Sequence, residues 1–347
     1  MRSISMKAKS YREVKAMVKN LRSLSACLAL ATLALFAATM ARADATGKFD
    51  KTLTVNGAVD LDVSTGSGNI TVHTGDAGKV EIHATIKAHE GWSSSDKDAE
   101  ARVQYLEQHP PIEQDGNTIR VGHVEDRDLM RNVSISYEIV TPAQTRLHST
   151  TGSGDQTVEG VAGPLESTTG SGDIRASNIG SGATVRTGSG DVTLDKVQGG
   201  IHVGTGSGTI HANGIAGAMN ASTGSGDVIL EQTGSGDVEV STGSGSVEVN
   251  GVKGGLRVGT GSGNISALGT PTSDWRMHTG SGDLTVRVPQ QSSFELYAHT
   301  SSGSIESKFP ITVQGNISPR DLHGKVGSGG SVVDLRTSSG TIHIETQ

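Results

Sequence analysis

Aromatic residues, cysteine and basic charge are all scarce in this sequence, and each scarcity closes off a class of protein. Two tryptophans, four tyrosines and four phenylalanines in 347 residues leave no repeated platform on which sugars or bases could stack. The one cysteine, Cys27, sits inside an N-terminal apolar run. Once that run is removed no disulfide can form, and packing with backbone hydrogen bonds must hold the fold. Leu24-Ser25-Ala26-Cys27 has the letters of a lipoprotein box, but its cysteine precedes the apolar stretch that it should follow.

The N-terminus reads as an export signal. Arg2, Lys7, Lys9, Arg12, Lys15, Lys19 and Arg22 form a basic segment, Leu24 to Met40 is apolar, and Ala41-Arg42-Ala43 precedes Asp44. This pattern predicts a signal peptide over residues 1–43, cut between Ala43 and Asp44, and the apolar run is short for a permanent membrane anchor. Cleavage removes eight Lys/Arg and Glu13 from 29 basic and 36 acidic residues, leaving 21 and 35, a net charge of −14. That balance argues against nucleic acid, which needs basic surface, and against docking on anionic lipid. No transmembrane segment is expected in residues 44–347.

What the sequence does have is a tetrapeptide with a stride. Thr-Gly-Ser-Gly begins at Thr151, Thr169, Thr187, Thr205 and Thr223, then at Thr233, Thr242, Thr260 and Thr279, with degraded copies at Thr300 and Thr337 and an early one at Thr65. A period near 18 residues marks a solenoid whose coils cannot bury an apolar face alone. Within Thr187–Gly204, Val192 and Leu194 alternate with polar residues, as do Ile201 and Val203. Each coil is therefore two half-buried strands and two glycine-rich corners. The threonines fall two residues beyond the last inward position, which predicts a ladder of stacked inward hydroxyls. The fold class is all-β: one β-solenoid domain of about ten coils, with an irregular α/β cap or insertion near its N-terminus.

Four segments divide residues 44–347. Residues 44–84 are initial strands, 149–307 are regular coils, and 308–347 are irregular terminal coils. Residues 85–148 carry no repeat. There, Asp96–Gln108 predicts a helix with Asp96 as its N-cap and Ala99, Val103 and Leu106 on one face. Ile112–Val121 predicts a hairpin around Asp115-Gly116, and Val133–Val140 a strand ended by Pro142.

The repeated Thr-x-Ser-Gly-Asp-Ile/Val-x-Val corners, the Tyr-x-Ile-x-x-Pro strand (Tyr137, Ile139, Pro142) and the late Leu-x-Thr-x-Ser-Gly-x-Ile tail (Leu335 to Ile342) resemble the bacterial putative-adhesin β-solenoid family. The resemblance spans roughly residues 50–347. It implies a domain of unknown function to which adhesion is ascribed, and it brings no catalytic residues.

Asp155, Asp173, Asp191, Asp227, Asp237 and Asp283 each follow a Gly-Ser-Gly corner. Stacked acidic turns can bind calcium. Here, however, the aspartate stands one position early, and Asn69, Thr209, Ser246 and Asn264 replace it in other coils. All of these types cap turns without metal, so the expectation is turn capping, with no metal, no cofactor and no catalytic site. The twelve histidines show no metal-ligand spacing. Outward positions are mixed: Arg175, Thr193, His211, Ile229, Glu239 and Glu248 read as equivalents, without the repeating acidic pair a glycan-cleaving β-helix would need. The function expected is an exported, periplasmic or secreted, non-enzymatic envelope or surface protein. Its partner would be a protein or glycan of the envelope or of a host surface. The alternatives are a structural or stress-related envelope component and a glycan-processing β-helix enzyme.

Overall fold

The computed structural model describes residues 45–89, 99–124, 126, 128–313 and 318–347. The signal segment, with Ala43 and Asp44, and the proposed helix cap Asp96 lie outside the described residues. The chain folds into two facing sheets of mainly parallel strands, one of fourteen strands (sheet A) and one of fifteen (sheet B). One short helix, Ala99–Gln108, accompanies them.

A central coil shows why the sequence folds this way. Val192–Val197 lies in sheet A and Ile201–Ser207 in sheet B. Val192, Leu194, Val197, Ile201 and Val203 are buried between the sheets, whereas Thr193 and His202 face outward. Neighbouring coils repeat this in register, so Val192 lies between Ile174 and Ile210 and Val203 between Val185 and Ala221. Each apolar side chain thus touches its counterparts above and below as well as the opposite sheet. Gln156 is one of the polar residues buried in this core. Its Oε1 accepts from Ser149 Oγ at 2.5 Å and Ser167 Oγ at 2.7 Å, and its Nε2 donates to Thr168 O, which satisfies the buried amide.

The corner threonines other than Thr233, which is exposed, are buried, as their spacing predicts, but they do not stack hydroxyl on hydroxyl. Thr187 Oγ1 donates to Gly172 O at 3.0 Å, Thr205 Oγ1 to Gly190 O at 3.0 Å, and Thr260 Oγ1 to Gly245 O at 3.1 Å. Each hydroxyl reaches back to a carbonyl of the preceding corner, because a buried carbonyl at a turn is an acceptor in need of a donor. The second glycine of each corner is fixed by geometry. At Gly190 φ is +146°, and a Cβ there would lie 2.1 Å from Gly172 O.

Among the described residues the stack holds twelve rungs rather than ten, because the segments outside the regular repeat supply rungs of their own. The spatial order also departs from chain order at both ends. Near the N-terminus, Val59–Ser67 and Ile70–Gly75 lie between the rung of Thr118–Val121 and Val133–Pro142 and the rung of Thr145–Ser153 and Gln156–Glu159. Near the C-terminus, Val332–Ser339 and Ile342–Thr346 lie between Trp275–Val288 and Phe294–Ser307. Glu345 clasps this inserted rung to both neighbours, taking Lys308 Nζ at 2.9 Å and Arg287 Nε at 3.2 Å.

Antiparallel strands close the ends. In sheet A Lys79–Ala88 pairs with Val133–Pro142 and carries Ala45–Thr54 on its outer edge, and Ile112–Asp115 pairs with Thr118–Val121 in sheet B. At the other end Asp321–Val326 runs against Phe294–Ser302. Such strands break the parallel template and blunt an edge that could recruit another chain. The helix lies over the antiparallel pair Ala45–Thr54 and Lys79–Ala88 with Ala99, Val103 and Leu106 buried, and Glu107 Oε1 accepts the Lys48 N–H at 2.8 Å. Below it Phe49 meets Tyr137 edge to face. Among the described residues the buried Tyr137 hydroxyl has no hydrogen-bond partner, and burial pushes its pKa up.

Candidate functional site

The aspartates singled out from the sequence form a ladder between coils rather than caps within their own turns. Asp155 Oδ1 accepts the Asp173 N–H at 2.9 Å, Asp173 Oδ1 the Asp191 N–H at 2.9 Å, and Asp191 Oδ1 the Thr209 N–H at 2.8 Å. Asp227 serves Ser246 N at 2.7 Å, and Asp283 serves Thr341 N of the inserted rung at 2.7 Å. Asn69 and Asn264 do the same for Asp155 and Asp283. Asp237 stands apart. The Thr233 copy makes the opposite corner of its coil, so Asp237 Oδ1 caps Gly255 N there, at 2.8 Å. The Asp173 pKa is lowered, chiefly by the Asp191 N–H and then by Arg175, whose Nη2 lies 2.8 Å from Asp173 Oδ2. Among the described residues no group of three or more His, Cys, Asp or Glu converges to hold a metal ion.

With the interior and the corners occupied by the scaffold, chemistry is left to the two outer faces. On sheet A, Arg175, Thr193, His211, Ile229 and Glu248 share one row. Glu239 is not in that row. It lies on sheet B, between Asn220 and Arg257, because the extra corner at Thr233 shifts the count by half a coil. On sheet B one outward row runs His148, Glu166, Thr184, His202, Asn220 and Glu239, and continues through Arg257 to Arg276, with Arg146 two residues before His148 on the same strand.

A shallow groove of 760 Å³ follows the sheet B row from His148 to Glu239, with Arg146 at its edge and the small corner residues Ser181, Gly182, Gly200 and Ala218 as its wall. A second, of 620 Å³, begins at the same Asp237 and Glu239 and extends past Arg257 to Arg276. Further along the face, Tyr297, His299, Asp321, His323 and Arg336 line a hollow of 300 Å³. Tyr297 there is 38% exposed and stacks on His323, with centroids 4.1 Å apart.

The faces differ in charge. Arg146, Arg186 and Arg257 on sheet B are exposed and, among the described residues, make no ion pair or side-chain hydrogen bond. Glu166 is engaged by His148 at 3.4 Å and Glu239 by Asn220 at 3.4 Å. Over the same rungs sheet A presents Glu159, Asp195, Glu231 and Glu248, and its arginine, Arg175, is held by Asp173.

The sequence reading also missed the partners of the histidines. His73 pairs with Glu159, His148 with Glu166 and His343 with Glu306, each on a neighbouring strand. His83–Asp50 and His299–Asp321, both at 2.6 Å, pin the antiparallel strands at opposite ends of the stack. Asp50 raises the His83 pKa.

Several solved structures show a likeness to this chain. A putative cell adhesion protein from Clostridium sporogenes is 13% identical, covering 87% of this chain and 100% of its own, with a TM-score of 0.22. A putative adhesin from Bacteroides fragilis is 12% identical, covering 87% and 97%, with a TM-score of 0.24. A putative lipid binding protein from Parabacteroides distasonis is 9% identical, covering 87% and 97%, with a TM-score of 0.27. Overlap this low supports no argument about this chain's function. No curated protein matches it. A family model described as Toastrack DUF4097 matches residues 50–223 and again residues 215–345, which together take in the initial strands, the regular coils and the inserted last rung. The chain belongs to the Toastrack DUF4097 family.

Proposed function

We propose that this protein is an exported, non-enzymatic component of the cell envelope or surface that binds a partner through the outer face of sheet B. The observation that carries the reading is the division of labour across the fold. Inward side chains and corner groups are consumed in holding rungs together, while one outer face keeps an open groove over successive rungs and arginines with no partner among the described residues. A stack of in-register rungs presents such a face without reorganisation, which limits the entropy lost on binding. The signal pattern over residues 1–43 supports export, and no helix of the described residues is long and apolar enough to cross a membrane.

Cell fractionation of the full-length chain, beside one lacking residues 2–43, tests the location. The mature form should appear in the periplasmic, envelope or released fraction only when the signal is present. Recovery of both forms in the cytoplasm contradicts export. A mature protein in the envelope that retains no component of envelope extracts would favour the structural alternative.

A further inference from the structure

We propose that residues 332–346 form an exchangeable rung, which two copies of this chain swap. Each lends its rung to the slot between Trp275–Val288 and Phe294–Ser307 of the other. This goes beyond the reading of sheet B as a binding face and does not depend on it.

The slot is lined on both sides by parallel strands that precede the rung in the chain. Val333 sits between Trp275 and Leu296, Leu335 between Met277 and Ala298, and Ile342 between Leu284 and Ile305. At the corners Thr337 Oγ1 donates to Gly282 O and Thr300 Oγ1 to Gly340 O, while Asp283 Oδ1 accepts the Thr341 N–H. Glu345 adds its ties to Lys308 and Arg287. The rung of a second copy carries the same groups in the same order, so it satisfies every one of these contacts.

The slot can also close when the rung leaves. The same rows then bring Trp275 against Leu296, Met277 against Ala298, Thr279 against Thr300 and Leu284 against Ile305. Trp275, Met277, Leu284, Leu296 and Ala298 are already core residues, so apolar rows meet apolar rows. Thr300 is placed to take over the bond to Gly282 O, and Ser304 stands where Thr341 now meets Asp283. Residues 289–293 step over the inserted rung, a distance of two strand spacings or about 10 Å. A single spacing asks less of them. Departure of the rung therefore leaves a closed stack instead of an open core.

The connection is built to allow it. In sheet B, Phe294–Ser302 lies between Asp321–Val326 and Val332–Ser339, so residues 327–331 must cross over that strand. Gly327, Gly329 and Gly330 do so at φ +59°, +78° and +144°. Glycine holds this tight crossover and also straightens at little cost. Exchange keeps the contacts of the rung and changes only the crossover, which makes swapping a low-cost route to a dimer. Short hinges favour it. Reciprocal exchange closes on itself and gives a two-fold dimer rather than an open array.

Cross-linking of mixed variants tests the proposal on the mature protein. Thr285→Cys and His343→Cys are combined, warmed to just below the melting midpoint, cooled and treated with a short bismaleimide. The two positions are partners across the slot, and residues 44–347 hold no other cysteine. The mixed dimer should exceed by at least about tenfold that from Thr285→Cys combined with Thr193→Cys, which lies on the same sheet many rungs away. The double variant Thr285→Cys/His343→Cys, kept dilute, should link within one chain. Adding Gly330→Ala to both partners strains the crossover at φ +144° and should raise the mixed yield about fivefold or more. A mixed yield no greater than the control, or one that Gly330→Ala fails to raise, would overturn the proposal.

Discussion

Asp173 Oδ1 accepts the backbone N–H of Asp191, eighteen residues further along the chain, at 2.9 Å. One side chain thereby ties a corner to the next rung. Asp173→Asn keeps an acceptor and should leave the unfolding midpoint in urea nearly unchanged. Asp173→Ala leaves that N–H without its partner and should cost about 0.5–1.5 kcal/mol. The Asp173 pKa is lowered, so its contribution is present above the unfolded value near 4 and is lost as pH falls through the lower folded value. The difference between wild type and Asp173→Asn should therefore change only below about pH 4.

If the corner aspartates serve the backbone in this way, chelation should leave them unaffected. Scanning calorimetry with and without EDTA, and with millimolar calcium, should give melting temperatures that agree. A large calcium-dependent rise would make Asp155, Asp173, Asp191, Asp227 and Asp283 ligands instead.

The second corner glycine is the position least open to change. Gly190→Ala places a Cβ at φ +146° and 2.1 Å from Gly172 O. Backbone strain alone should cost about 1–3 kcal/mol, with the clash added to it. Gly66→Ala, where a Cβ meets nothing within 4 Å, should stay within about 0.5 kcal/mol of wild type. Equal losses at the two sites, read from denaturant midpoints, would contradict the close corner stacking.

His83 and Asp50 pair across the two antiparallel strands nearest the N-terminus, at 2.6 Å. Asp50 raises the His83 pKa, so the stabilisation is fully present below the unfolded value near 6.5 and fades as pH rises through the folded one. The melting temperature of wild type should exceed that of His83→Gln at pH 5.5, and the gap should close by about pH 8.5. A gap that widens with rising pH would show that the imidazole acts uncharged.

The repeat made the coil legible, and the reason is physical. Two-residue alternation assigns Val192, Leu194, Ile201 and Val203 to the interior, because a strand turns alternate side chains to opposite faces. The order of rungs was not legible. Thr279 pairs with Thr337 rather than with the nearer Thr300, and near-identical corners carry no local mark of which copy they will meet. The same ambiguity misplaced Glu239, since the Thr-Gly-Ser-Gly at Thr233 looks like every other copy yet forms the opposite corner. The site lay further out of reach. Arg146, Arg186 and Arg257 read as scattered surface charge until the register puts them on one sheet, and only the register shows that neighbouring carboxylates are engaged elsewhere.

The central claim, that sheet B rather than sheet A meets the partner, can be tested by blocking each face in turn. Residues 44–347 contain no cysteine, so Ser241→Cys on sheet B and Thr193→Cys on sheet A can each carry a bulky maleimide–polyethylene glycol at a single exposed point. Cosedimentation of the mature protein with envelope extracts should be lost when Ser241→Cys is coupled and kept when Thr193→Cys is coupled. Loss from the sheet A block alone, or equal loss from both, would contradict the account.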